Sequence, residues 1–102
     1  MLFYLADGSS ITAKRVMLDA AEVRMNSKAD VYGMFHKKGI KPIYRTMVVQ
    51  TGEYLTELIY SDEMRNVTKI LAYGLDDKKQ IAEQKAAQLY LQMIRKKQQL
   101  DN

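Results

Sequence analysis

The chain of 102 residues has no cysteine and no tryptophan, one histidine, one proline and five glycines. Without cysteine there is no disulfide, no thiolate metal site and no cysteine nucleophile, a composition that fits a reducing compartment. The single histidine, His36, has no carboxylate or cysteine cluster beside it in sequence, so neither a metal set nor a catalytic triad can be assembled around it. It reads as a surface or boundary residue. Long apolar runs are also missing: no window approaches the ~18–20 apolar residues needed to span a bilayer, and Met1 to Ala6 lacks the basic start and long apolar stretch of a signal peptide. The expectation is a soluble, cytoplasmic protein without a membrane partner. There is no phosphate-cradling glycine loop, no zinc spacing and no aromatic strand pattern of the single-strand RNA readers. Asp62-Glu63 and Asp76-Asp77 fall in expected turns, where aspartate caps and bonds locally. These absences point to a non-enzymatic protein with no catalytic residue, metal, cofactor or small-molecule substrate.

What is present supports one ordinary core. Hydrophobic residues make up 47% and charged residues 27%, enough for a single compact domain and too short for two. The formal charge is +4. Residues 1–30 carry four basic and four acidic groups, so the whole excess lies after residue 30. That excess permits nucleic-acid binding without demanding it. The methionines read as packing or contact residues.

Along the chain, no repeat, low-complexity block or linker marks an internal boundary. Leu2 to Ala6 reads as a short strand and Asp7 to Ser10 as a turn. Ile11 to Met25 fits two templates. As a helix, Ile11, Leu18 and Met25 share a face with Ser10 as cap; as a strand, Ile11-Thr12-Ala13 and Val16-Met17-Leu18 return on the first strand as a hairpin. Strand, turn, then helix is the preferred order for this 1–27 extension, which is expected to pack on a domain spanning 28–102. There, Asn26 and Ser27 are candidate caps for a short helix with Val31, Met34 and Phe35 on one face, ended by Gly39. Three strands follow at Ile43–Gln50, Glu53–Tyr60 and Asn66–Tyr73, rich in Val, Ile, Leu, Tyr and Thr. Asp76-Asp77 then cap a long helix whose Ala82, Ala86, Leu89 and Met93 form one stripe, with Arg95, Lys96 and Lys97 near its far end. The predicted class is α+β, in the order α-β-β-β-α.

Two stretches within residues 28–97 resemble the double-stranded RNA-binding domain family. Val31-Tyr32-Gly33-Met34-Phe35-His36-Lys37-Lys38-Gly39-Ile40-Lys41-Pro42-Ile43-Tyr44 is similar to that family's first helix, its basic-Gly exit and its Pro-x-Tyr start of strand one. Gly74 through Lys78-Lys79 to Ala82 and Ala86-Ala87 is similar to the lysines and small residues that open its second helix. The resemblance implies a three-stranded antiparallel sheet backed on one face by two helices. It also implies recognition of structured RNA by shape, with the second helix bridging major-groove phosphates and the first helix and first strand-to-strand loop touching successive minor grooves.

The candidate RNA contacts are Lys78, Lys79 and Lys85 on the last helix and Lys37, Lys38 and Lys41 around the turn. Lysines in the first turn of a helix oppose its macrodipole, a conflict that a bound phosphate would resolve. The bland reading is a solvated face with i to i+4 pairing such as Lys79 with Glu83, and dipole-favoured charge for Lys37, Lys38 and Lys41. Three departures from the family pattern bear on function. Thr51-Gly52-Glu53 replaces the family's Gly-Pro-x-His loop; Gln80 and Glu83 align with usually basic positions; and Gly33 stands where the first helix would offer a side chain to the minor groove. They leave a rival open: a domain of this kind working by protein contact, as a dimerisation module, adaptor or inhibitor of a larger enzyme.

Overall fold

The computed structural model describes residues 2–13 and 23–100, with side chains to residue 97. Its elements are β1 (Leu2–Tyr4), β2 (Ser10–Thr12), α1 (Ser27–His36), β3 (Ile43–Val48), β4 (Tyr54–Asp62), β5 (Val67–Asp76) and α2 (Lys79–Leu100). β1 and β2 form an antiparallel hairpin, and β3-β4-β5 form a three-stranded antiparallel meander. The class is therefore α+β, with the three strands between the two helices in sequence.

The pleat of β4 divides the core into two layers. Residues three apart on a strand point to opposite faces. Leu58 packs with Val31, Phe35, Ala86 and Ala87 on the helix side, while Leu55 packs with Ala13, Val49 and Tyr73 on the other. That second face is lined further by Phe3, Leu5 and Ile11 of the N-terminal hairpin. The hairpin is tied to the sheet through its backbone: Ala6 N–H donates to Val48 O and Gln50 N–H to Tyr4 O, both at 2.8 Å. Ser10, Ile11 and Thr12 pair with β1, so the helix expected to begin there is corrected to a strand with Ser10 opposite Tyr4. The cause is the tight turn before it. Gly8 has φ of +92°, and the Asp7 carboxylate accepts from both the amide and the hydroxyl of Ser9, which also holds that carboxyl below its ordinary range. Residues 14–22 of the helix expectation lie outside the described residues, and its last part, Val23 to Met25, is coil and turn.

α2 lies close on the sheet at Gly74. A Cβ on Gly74 would stand 2.0 Å from Ala82 O and 2.6 Å from Ala86 N, so only glycine on β5 and small residues on α2 permit the contact. Leu71 has no partner on β4, because the register slips between Leu58 and Ile59. This bulge re-aims Leu71 so that it packs against the helix-side cluster.

The helix starts differ from expectation. Asn26 occupies the N-cap without a side-chain capping bond; instead Gln84 Oε1 of α2 accepts the Lys28 amide at 3.0 Å. Farther back, Gln88 Oε1 accepts the Arg24 amide at 2.8 Å, so α2 side chains satisfy the donors at the front of α1. Before α2, the Asp76 carboxylate accepts the Lys78 amide at 2.9 Å, and Lys78 O receives the first helical bond, from Ala82. β4 runs through Asp62, two residues beyond its expected end, and turns at Asn66 with φ of +52°.

Candidate nucleic-acid interface

The six lysines selected from sequence fall into two groups at opposite ends of the sheet. Val48 pairs with Tyr54 and Tyr54 with Asp76 at the end where α2 begins, so Lys78 and Lys79 lie there. Lys37, Lys38 and Lys41 precede Ile43, which pairs with Ile59 at the other end. The six residues of β3 separate the two ends by about 17 Å. Lys38 and Lys41 line an open groove of about 840 Å³ with Ile40, Ile43, Asp62, Glu63, Met64 and Arg65, so the α1–β3 turn and the β4–β5 turn share one surface on which acids stand beside the lysines. Met64, at 98% exposed, stands at its tip.

Five of the six lysines are exposed, and among the described residues none of those five has an ion-pair partner. Lys85 differs. Its ammonium donates to Asp76 Oδ1 at 2.8 Å and to Leu75 O at 3.1 Å, fastening α2 to the end of β5. Burial of Asp76 disfavours its charge, but the hydrogen bonds from Lys85 and from the Lys78 amide outweigh it and hold the carboxyl below the ordinary range.

Glu83, the acid placed to neutralise Lys79 along the helix, is drawn away as well. It accepts from Lys28 of α1, whose ammonium also lies 4.9 Å from the centre of the Tyr44 ring. The Tyr44 hydroxyl beneath is buried without a hydrogen-bond partner; burial, then the Glu83 charge, pushes its pKa far above the usual value. Nothing acidic remains in the first turn of α2. Two carboxylates near the start of α2 are thus each matched by a cation from elsewhere, leaving Lys78 and Lys79 opposed only by exposed Asp77.

The loop between β3 and β4 is compact. Gly52, at φ of +92°, donates to Val49 O at 2.9 Å, and Val49 donates to Glu53 O at 2.9 Å, which leaves little to project from the tip. On α1, Tyr32 and His36 stack with ring centroids 5.8 Å apart on the exposed side, beside Gly33, whose α-carbon faces open space. Their i to i+4 spacing was the signal for that pair.

A fully buried acid was not singled out from the sequence. Glu57 stands opposite Arg45 in the ladder, accepts from its Nε at 2.6 Å and Nη2 at 2.5 Å, and leaves its Oε2 without a partner. Burial, and then this carboxylate, raises the pKa of neighbouring Tyr73. The cluster lies on the sheet face shared with the N-terminal hairpin, away from both lysine groups.

Among the described residues, no group of three or more His, Asp or Glu side chains could hold a metal ion, and no helix is long and apolar enough to cross a membrane. No family model, curated protein or solved structure matches the chain.

Proposed function

We propose that this is a domain of the double-stranded RNA-binding type that binds structured RNA by shape and phosphate contact. Lys78 and Lys79 at the start of α2 form the primary anion site, and Lys37, Lys38 and Lys41 a second. The observation that carries the reading is the sorting of charge at the head of α2: Asp76 and Glu83 are each occupied by Lys85 and Lys28, while Lys78 and Lys79 stay exposed at a helix N-terminus. Two cations at the positive end of a helix dipole are unfavourable alone and become favourable beside phosphate. The short β3–β4 loop offers little to a minor groove, so affinity rests on phosphates and is sequence-independent and steeply salt-dependent.

The test is binding of the purified protein to an RNA duplex of ~20 base pairs across a salt series, with a matched DNA duplex as control. Preference for RNA with affinity falling as salt rises is the expected result. Replacing Lys78 and Lys79 with alanine should flatten the slope of log K on log salt by about one per lysine. Salt-insensitive binding, or none, would remove the reading.

A further inference from the structure

Two adjoining depressions of about 290 and 480 Å³ share Asp30, Leu91 and Arg95 and form one groove along the junction of α1 and α2. Its apolar floor is made by Met34, Leu91 and Ile94, all half-buried. Gly33 opens the α1 wall, since a Cβ built there meets no atom within 4 Å. The rim carries Arg24, Lys37 and Arg95, all exposed and none ion-paired among the described residues, against the single acid Asp30.

We propose that this groove docks an acidic amphipathic helix of a protein partner. The walls are α1 and α2, whose backbone groups are bonded within the helices or, for Arg24 and Lys28 at the front of α1, by Gln88 and Gln84, so the groove gives an extended strand nothing to pair with. A helical guest satisfies its own backbone and needs only side-chain contacts. From Ser27 to Lys37 the wall runs about 15 Å, close to three helical turns, which matches anchors at i, i+3 or i+4, and i+7. Leucine-like anchors suit the floor, and three cations against one acid select carboxylates at the guest's edges. A nucleic acid would leave the floor without a counterpart. The inference does not depend on RNA binding, which was assigned to other lysines, Lys37 excepted.

The probe is a fluorescein-labelled synthetic peptide of about 14 residues, built from Leu, Glu and Ala with leucines at that spacing. Its counterpart carries Lys in place of Glu. Anisotropy titrations with the full chain should show the acidic peptide binding at least about tenfold more tightly than the basic one, and Arg95→Glu should weaken it about tenfold. Gly33→Gln fills the notch with a better helix former, so it keeps the fold while weakening binding by about fivefold or more. Equal binding of both peptides, no binding at about 1 mM, or full affinity in Gly33→Gln overturns the proposal. So does displacement of the peptide by an RNA duplex that itself loses affinity in Arg95→Glu, because the groove would then belong to the RNA surface.

Discussion

At the scale of single residues, two positions determine how α2 meets the sheet. Gly74 is the first. Its missing side chain is the space into which the backbone of Ala82 and Ala86 settles, so a methyl group there collides with main chain and not with a movable side chain. Gly74→Ala should destabilise the protein by about 3 kcal/mol, at the upper end of overpacking effects. Thermal unfolding would register this as a fall of roughly 4–8 °C for each kcal/mol, and an unchanged midpoint would contradict the close contact. Lys85 is the second, with its ammonium committed to Asp76 and Leu75. Because the folded state lowers the pKa of Asp76, the pair contributes stability above the unfolded carboxylate value of ~3.9, and that contribution is lost as pH falls through the lower folded value. Lys85→Met should therefore cost about 1.5–3 kcal/mol near neutral pH, with the gap to the parent closing in strong acid. Urea unfolding at the two pH values measures it; a gap independent of pH would mean that the lysine acts by packing alone.

At the scale of elements, α1, α2 and the three central strands were legible in the sequence because their periodicities are long enough to read. Val31 and Phe35 fall one turn apart on α1, and Ala82 and Ala86 of the expected α2 stripe are fully buried, whereas Leu89 and Met93 are only half-buried and Ala87 takes the third fully buried place. The N-terminal hairpin was not legible in the same way. Strands of three residues are too short to show alternation, and Ile11 fits a helical stripe as well as a strand. Capping was misjudged for a related reason. Asn26 has the right chemistry for a cap, yet the amides ahead of and within α1 are met by Gln84 and Gln88, about 60 residues away, and no local pattern announces a cap supplied by another helix. The i to i+4 partner of Lys79 was visible in sequence, but its diversion to Lys28 depends on how α1 crosses α2. The lysines themselves could be selected from their spacing; which of them remain free is a tertiary fact.

At the scale of the whole molecule, what matters is how the positive charge is laid out over a body of 40 × 35 × 23 Å. The net charge of +4 is small, and the proposed RNA binding needs it to be gathered and not spread evenly. Ion pairing helps to sort it: Lys28, Arg45 and Lys85 are absorbed by Glu83, Glu57 and Asp76, which leaves Lys78 and Lys79 at one end of the sheet and Lys37, Lys38 and Lys41 at the other, with Arg24, Lys69, Arg95, Lys96 and Lys97 also exposed. A separation of about 17 Å or more, with no shared partner, places the groups beyond the range at which substitutions normally couple. If one rigid duplex rests on both ends, the binding losses from Lys78→Ala with Lys79→Ala and from Lys37→Ala with Lys38→Ala and Lys41→Ala should add to within about 0.5 kcal/mol in the five-fold variant. The salt slope should drop by about one per lysine removed. Titrating the three variants and the parent with the same RNA duplex over the same salt series decides the point. A triple variant at Lys37, Lys38 and Lys41 that binds like the parent would confine the RNA surface to the head of α2, whereas a loss far from additive would mean that the two ends do not contact the duplex independently.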